Sequence, residues 1–172
     1  MSSLALVLTL IAFPAAADSV DGIPLHWAVS GSGPRTVMLI HGWTCDSTSW
    51  DAQVPALAKE YRVIALDLPG HGRSGSPADG KFSMELFARA VEAVRSEAGA
   101  DKVVLVGHSM GAPVIREYAR LFPQRVAALV ATTKVFPSFE YQEIPGTNHF
   151  LMMEKPDDFN RRLTTFLAKL TY

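Results

Sequence analysis

The chain is poor in cysteine, in positive charge near its start and in long apolar runs. Its 172 residues include one cysteine, Cys45, so no internal disulfide framework can form. One thiol and five scattered histidines give no metal-ligand spacing, and no cofactor is expected. Basic and acidic residues nearly balance, 16 against 17. No basic stripe is present, which argues against a nucleic-acid partner. The N-terminal apolar run from Leu4 to Phe13 is shorter than the roughly 20 residues a membrane-spanning helix needs, so no span is expected. What remains is an ordinary globular composition, 48% hydrophobic and 19% charged. That length suits one domain with a real core.

The same apolar run is followed by Pro14 and then by Ala15-Ala16-Ala17-Asp18. An apolar stretch ending in small residues reads as a secretory signal cleaved after Ala17, although no Lys or Arg precedes Arg35. The expected division is a signal segment, residues 1–17, and a single domain, residues 18–172, in the periplasm or outside the cell. The competing reading makes the run a first element of the domain and leaves the protein cytoplasmic.

Strand and helix patterns alternate along the rest. Ile23 to Val29 reads as a strand after an Asp21-Gly22 turn. Thr36 to Ile40 is a continuous apolar run, the mark of a strand buried on both faces. Trp50, Val54, Leu57, Ala58 and Tyr61 recur at helical spacing. Arg62 to Leu68 is the next strand. Ser83 predicts a helix N-cap, with Leu86, Phe87, Ala90, Val91 and Val94 on one face. Lys102 to Val106 and Val126 to Ala131 are further strands, separated by a helix over Met110 to Phe122. A last helix carries Phe159, Leu163, Phe166, Leu167 and Leu170. This alternation predicts an α/β fold, an open, mostly parallel sheet with helices on both faces. Ligands of such sheets bind beyond the carboxyl ends of the strands.

The sharpest motif is Gly107-His108-Ser109-Met110-Gly111, between a buried strand and a helix. Gly-x-Ser-x-Gly in this setting predicts a tight elbow that lifts the serine off the strand end. Side chains at 107 and 111 would collide with the crowded turn, and Ser109 would take a strained backbone conformation. Such a serine needs two N–H donors aimed at a developing oxyanion. Met110 follows the nucleophile at a helix N-terminus. Trp43, in His41-Gly42-Trp43-Thr44, is the expected second donor. In Asp67-Leu68-Pro69-Gly70-His71-Gly72-Arg73-Ser74, Asp67 and His71 read as structural groups that bond loop backbone.

These three motifs, in this order, resemble the α/β-hydrolase family from about Ile23 to Thr132, and the match resumes near the C-terminus. The resemblance implies Ser109 as nucleophile, with Trp43 and Met110 as oxyanion donors. It implies His149 as general base, in Ile144-Pro145-Gly146-Thr147-Asn148-His149-Phe150, where Asn148 stands in place of the family's usual glycine. Glu154 to Phe159 resembles the family's approach to the terminal helix. His26, His41, His71 and His108 have bland readings, as packing or locally bonded groups.

Between Thr132 and Tyr141 the chain departs from the family. Eight extended residues reach roughly 26–29 Å, too little for a cap or for another strand with its crossover helix. The expected molecule is therefore minimal and capless, and lacks the strand that carries the family's acid. A strand over Tyr141 to Ile144 would then lie beside Val126 to Ala131. Glu140 is the first candidate for the acid, and a Ser109–His149 dyad is the alternative. The implied activity is hydrolysis of small carboxylic esters. The competing reading is a catalytically weak or inactive relative that serves as a binding or scaffold protein. Acyl transfer to other acceptors and carbon–carbon cleavage stay open. Epoxide hydrolase and dehalogenase chemistry is disfavoured, because those relatives use an Asp nucleophile. The shortened sheet also suggests a homodimer through an exposed edge.

Overall fold

The computed structural model describes residues 19–132 and 140–172. The signal-segment reading lies outside the described residues. Among the described residues, seven strands and five α-helices follow in order. The strands are β1 (Ser19–Val20), β2 (Ile23–Pro24), β3 (His26–Ser30), β4 (Thr36–Ile40), β5 (Arg62–Asp67), β6 (Val103–Gly107) and β7 (Val126–Ala131). The helices are α1 (Val54–Leu57), α2 (Met84–Glu97), α3 (Gly111–Leu121), α4 (Leu151–Glu154) and α5 (Pro156–Ala168). Five strands form one sheet in the order β3-β5-β4-β6-β7, and β1 and β2 make a separate two-stranded ribbon. Among the described strands of the large sheet, β3 alone runs antiparallel.

The continuous apolar runs divide between two cores. Met38 and Ile40 of β4, with Leu105 of β6, pack on the side covered by α2 and α3. Val37 and Leu39, with Val104 and Val106, pack on the side of Trp50, Leu57, Tyr61 and α5. Alternate residues of a strand face opposite ways, so a strand between two helical layers must be apolar at every position. Ser83 caps α2 as expected, its hydroxyl accepting the Leu86 N–H at 3.0 Å. Strands β5 and β6 lie on opposite sides of β4, so the chain changes winding direction there. The loops after β4, β5 and β6 all leave at that point, on the carboxyl edge.

Three expectations are corrected. Ile23 to Val29 is two pieces, with β2 paired to β1 and β3 paired to β5. Pro24 has no N–H for a ladder, and its carbonyl instead accepts from Gly75 at 2.8 Å. The helical spacing from Trp50 to Tyr61 resolves into a 3-10 turn, Ser47–Trp50, and the short α1. The expected strand over Tyr141 to Ile144 is absent, since residues 140–144 run as irregular chain. Of these five, Ile144 alone is buried, so no alternating face exists to dock a strand. A cleft of about 370 Å³ lies there instead, bounded by Leu129, Ala131, Ile144, Phe159 and Phe166.

Candidate active site

Ser109 stands between β6 and α3 with φ at +50°. This left-handed backbone is unusual for a residue with a side chain, and the crowding around it explains how it is held. A β-carbon on Gly107 would lie 2.5 Å from the Gly111 carbonyl oxygen. Backbone bonds fix both ends of the turn: His108 N–H donates to Ile40 O at 2.9 Å, and Gly111 N–H to His108 O at 2.7 Å.

His149 comes from the loop before α4. Its Nε2 lies 2.8 Å from Ser109 Oγ, so the serine hydroxyl can donate to it. Two residues separated by 40 positions are thus brought together as the sequence motifs suggest. Asn148 is absent from the positive-φ residues, so glycine is not required where the family usually has it. Glu140 is directed elsewhere: its carboxylate accepts from Gln142 Nε2 at 3.1 Å. Among the described residues, no carboxylate pairs with the His149 imidazole. The interval 133–139 contains no Asp or Glu at all.

The loop after β4 carries Trp43. His41 braces it from below, with Nδ1–H donating to Gly42 O at 2.8 Å and Nε2 accepting the Leu68 N–H at 2.9 Å. These bonds require the neutral ring, and burial pushes the His41 pKa down. Thr44 takes φ +59°, and its hydroxyl donates to the Trp43 carbonyl at 2.7 Å. Gly42 sits against the elbow, where a β-carbon would meet Ser109 Cβ at 3.0 Å. Among the described residues, neither the Trp43 N–H nor the Met110 N–H has a protein acceptor.

Asp67 and His71 hold loop backbone, as their motif suggests. The buried Asp67 carboxylate accepts from Ser47 N at 2.8 Å and from Arg73 N at 2.9 Å. Burial pushes its pKa up, but these N–H groups and the nearby His26 outweigh that and hold it below the usual value. His71 Nδ1–H donates to Pro69 O at 3.0 Å.

Two residues gain weight from the structure. The buried His108 donates from Nε2 to the His149 carbonyl at 2.8 Å. Glu154 accepts the N–H groups of Asn148 and Phe150 at 2.8 and 3.1 Å. The Glu154–Phe150 bond is local, four residues apart, but it falls outside the capping-box spacing, which sets the acid three residues after a Ser or Thr N-cap. His108 has no sequence signal, because its partner is 41 residues away.

Among the described residues, no group of three His, Cys, Asp or Glu could hold a metal ion. No described helix is long and apolar enough to cross a membrane.

A strained serine at the carboxyl edge of a parallel sheet, bonded to a histidine from the last loop, is an arrangement of the α/β-hydrolase class. The family model described as alpha/beta hydrolase fold matches residues 35–170, and the chain belongs to that family. It is 35% identical over 153 residues to a pimeloyl-[acyl-carrier protein] methyl ester esterase of Edwardsiella ictaluri, covering 86% of this chain and 56% of that protein. It is 32% identical over 145 residues to bifunctional epoxide hydrolase 2 of Mus musculus, covering 78% and 26%. The chain thus spans about half or less of these curated relatives. A predicted CIB-like hydrolase from Thermoplasma acidophilum superposes with a TM-score of 0.78 at 21% identity, over 88% of this chain and 96% of that one. That likeness shows the fold alone.

Proposed function

We propose that this hydrolase cleaves small carboxylic esters through an acyl-enzyme on Ser109. The observation that carries the reading is the 2.8 Å contact between Ser109 Oγ and His149 Nε2. In the first step Oγ bonds to the ester carbonyl carbon while His149 Nε2 takes the hydroxyl proton. The carbonyl π electrons move onto oxygen. The N–H groups of Trp43 and Met110 donate to that oxyanion, each worth about 3–4 kcal/mol in a preorganised site. Collapse breaks the carbon–oxygen bond, and the alcohol leaves with the proton from His149. Water then attacks the acyl-enzyme, giving its proton to His149, and the second collapse returns that proton to Ser109 Oγ.

The esterase relative supports ester chemistry. The epoxide hydrolase relative widens the family's range, but Ser109 offers a hydroxyl where the Asp-nucleophile enzymes offer a carboxylate. Trp43 and Phe150 are both exposed near the site, which fits small, activated esters and weak selection among them. The test is a fluorophosphonate probe, with labelling that Ser109→Ala abolishes as the expected result.

One observation favours a second reading. Without a carboxylate on His149 among the described residues, the imidazolium lacks its usual stabiliser. A weak or inactive relative used for binding or scaffolding would be folded yet unlabelled by the probe. Association of two copies along the β7 edge is the partner proposal, and a monomer mass independent of concentration in sedimentation would exclude it.

A further inference from the structure

We infer that Glu154 and His108 form a backbone clamp that positions the His149 imidazole, which meets no carboxylate among the described residues. This rests on the reading of Ser109 and His149 as nucleophile and base. The His149 carbonyl and the Phe150 N–H belong to one planar peptide unit. His108 Nε2–H holds its oxygen at 2.8 Å, and Glu154 Oε1 holds its N–H at 3.1 Å. A plane gripped at both ends has little freedom to rotate. The second Glu154 oxygen takes the Asn148 N–H at 2.8 Å, which anchors the chain on the other side of His149. The imidazole then has only its own two side-chain torsions to settle. The rings of His108 and Phe150, with centroids 4.9 and 5.2 Å away, limit these.

Both jaws are tied to the core. His108 is 1% exposed, directly precedes Ser109 and stacks edge-on at 6.5 Å from Trp50. Its Nδ1 is buried with no partner, so the bond to His149 is the one polar contact its ring keeps among the described residues. Glu154 ends α4, where the Met152 carbonyl accepts from the buried Gln53 Nε2 at 2.8 Å. The hydroxyl of the nucleophile and the carbonyl of the base loop are therefore referenced to adjacent residues, Ser109 and His108. Glu154 and His108 touch no reacting atom and are positioning residues.

The test is steady-state hydrolysis of p-nitrophenyl acetate by the whole chain, with folding of each variant checked by circular dichroism. Glu154→Ala and His108→Leu are expected to lower kcat about tenfold or more with KM nearly unchanged, the signature of a misplaced base. His108→Gln, whose amide N–H reaches the place of Nε2, restores most of the rate. In a His149→Ala background, adding Glu154→Ala changes the residual kcat/KM less than about twofold, because its effect passes through the missing ring. Wild-type kcat in folded Glu154→Ala and His108→Leu overturns the clamp, and so does an undiminished loss in the His149→Ala background. Failure of the underlying reading looks different: Ser109→Ala would keep wild-type turnover. Amide hydrogen exchange reads the clamp without catalysis. Asn148 and Phe150 should lose protection in Glu154→Ala, and unchanged protection overturns it.

Discussion

A β-carbon on Gly111 would stand 2.3 Å from the carbonyl oxygen of Ile40. Helix α3 can begin against β4 only because that carbon is missing. Gly111→Ala should therefore shift backbone and cost about 3 kcal/mol or more, as overpacking of a rigid contact does. Gly99, with φ +64° and open space around it, supplies the comparison. Gly99→Ala should cost only about 1 kcal/mol of left-handed strain. Equal urea midpoints for the two variants would contradict this reading of the elbow.

The Ser109–His149 pair predicts an asymmetric loss. Ser109→Ala should abolish fluorophosphonate labelling. His149→Ala should slow it by about 10²–10⁴, the usual worth of general base assistance. Labelling at the wild-type rate in His149→Ala would remove the histidine from the mechanism.

Asp67 supports the loops on both sides of it through Ser47 and Arg73. Asp67→Asn replaces a carboxylate that accepts two backbone N–H groups with an amide, and should cost about 2 kcal/mol. The melting temperature and the labelling rate of Ser109 should fall together, because Ser47 follows the Trp43 loop. A variant with unchanged melting temperature would show that the contact adds no stability.

Acid should weaken the fold earlier than carboxylates alone would bring about. Burial lowers the pKa of His41 and of His108 below the ordinary 6.5. As pH falls below that value the unfolded chain takes up protons that the native chain does not. Their contribution is complete above the unfolded pKa and is lost as pH falls toward the folded values. Asp67, whose pKa is lowered, adds its own loss further down. Urea denaturation should thus give a lower midpoint at about pH 5.5 than at about pH 7.5. An equal or higher midpoint at the acid value would refute the neutral, buried state of these rings.

Much of this was legible in the sequence where the signal is local. The elbow glycines, the Ser83 cap and the apolar strands each follow from neighbours within a few residues. His149 was legible through its resemblance to a known loop. What sequence could not supply depends on distant partners. Tyr141 to Ile144 has strand-forming residues, but a strand also needs a docking face, and only Ile144 finds one. Glu140 lies near His149 in sequence, yet its carboxylate meets Gln142. His108 reads as a packing or locally bonded group beside Ser109, and its bond to the His149 loop exists only once β6 and that loop have met.

The protein's three tryptophans sit in three settings, with Trp43 exposed, Trp27 half-buried on β3 and Trp50 buried. Trp43 is 59% exposed beside Ser109, while Trp50 is 0% exposed in the core. A quencher confined to water should dim the first and spare the second. In a Trp27→Phe background, emission from the mouth of the site can thus be separated from emission by the interior, so occupancy of Ser109 and loss of the fold carry different optical signatures.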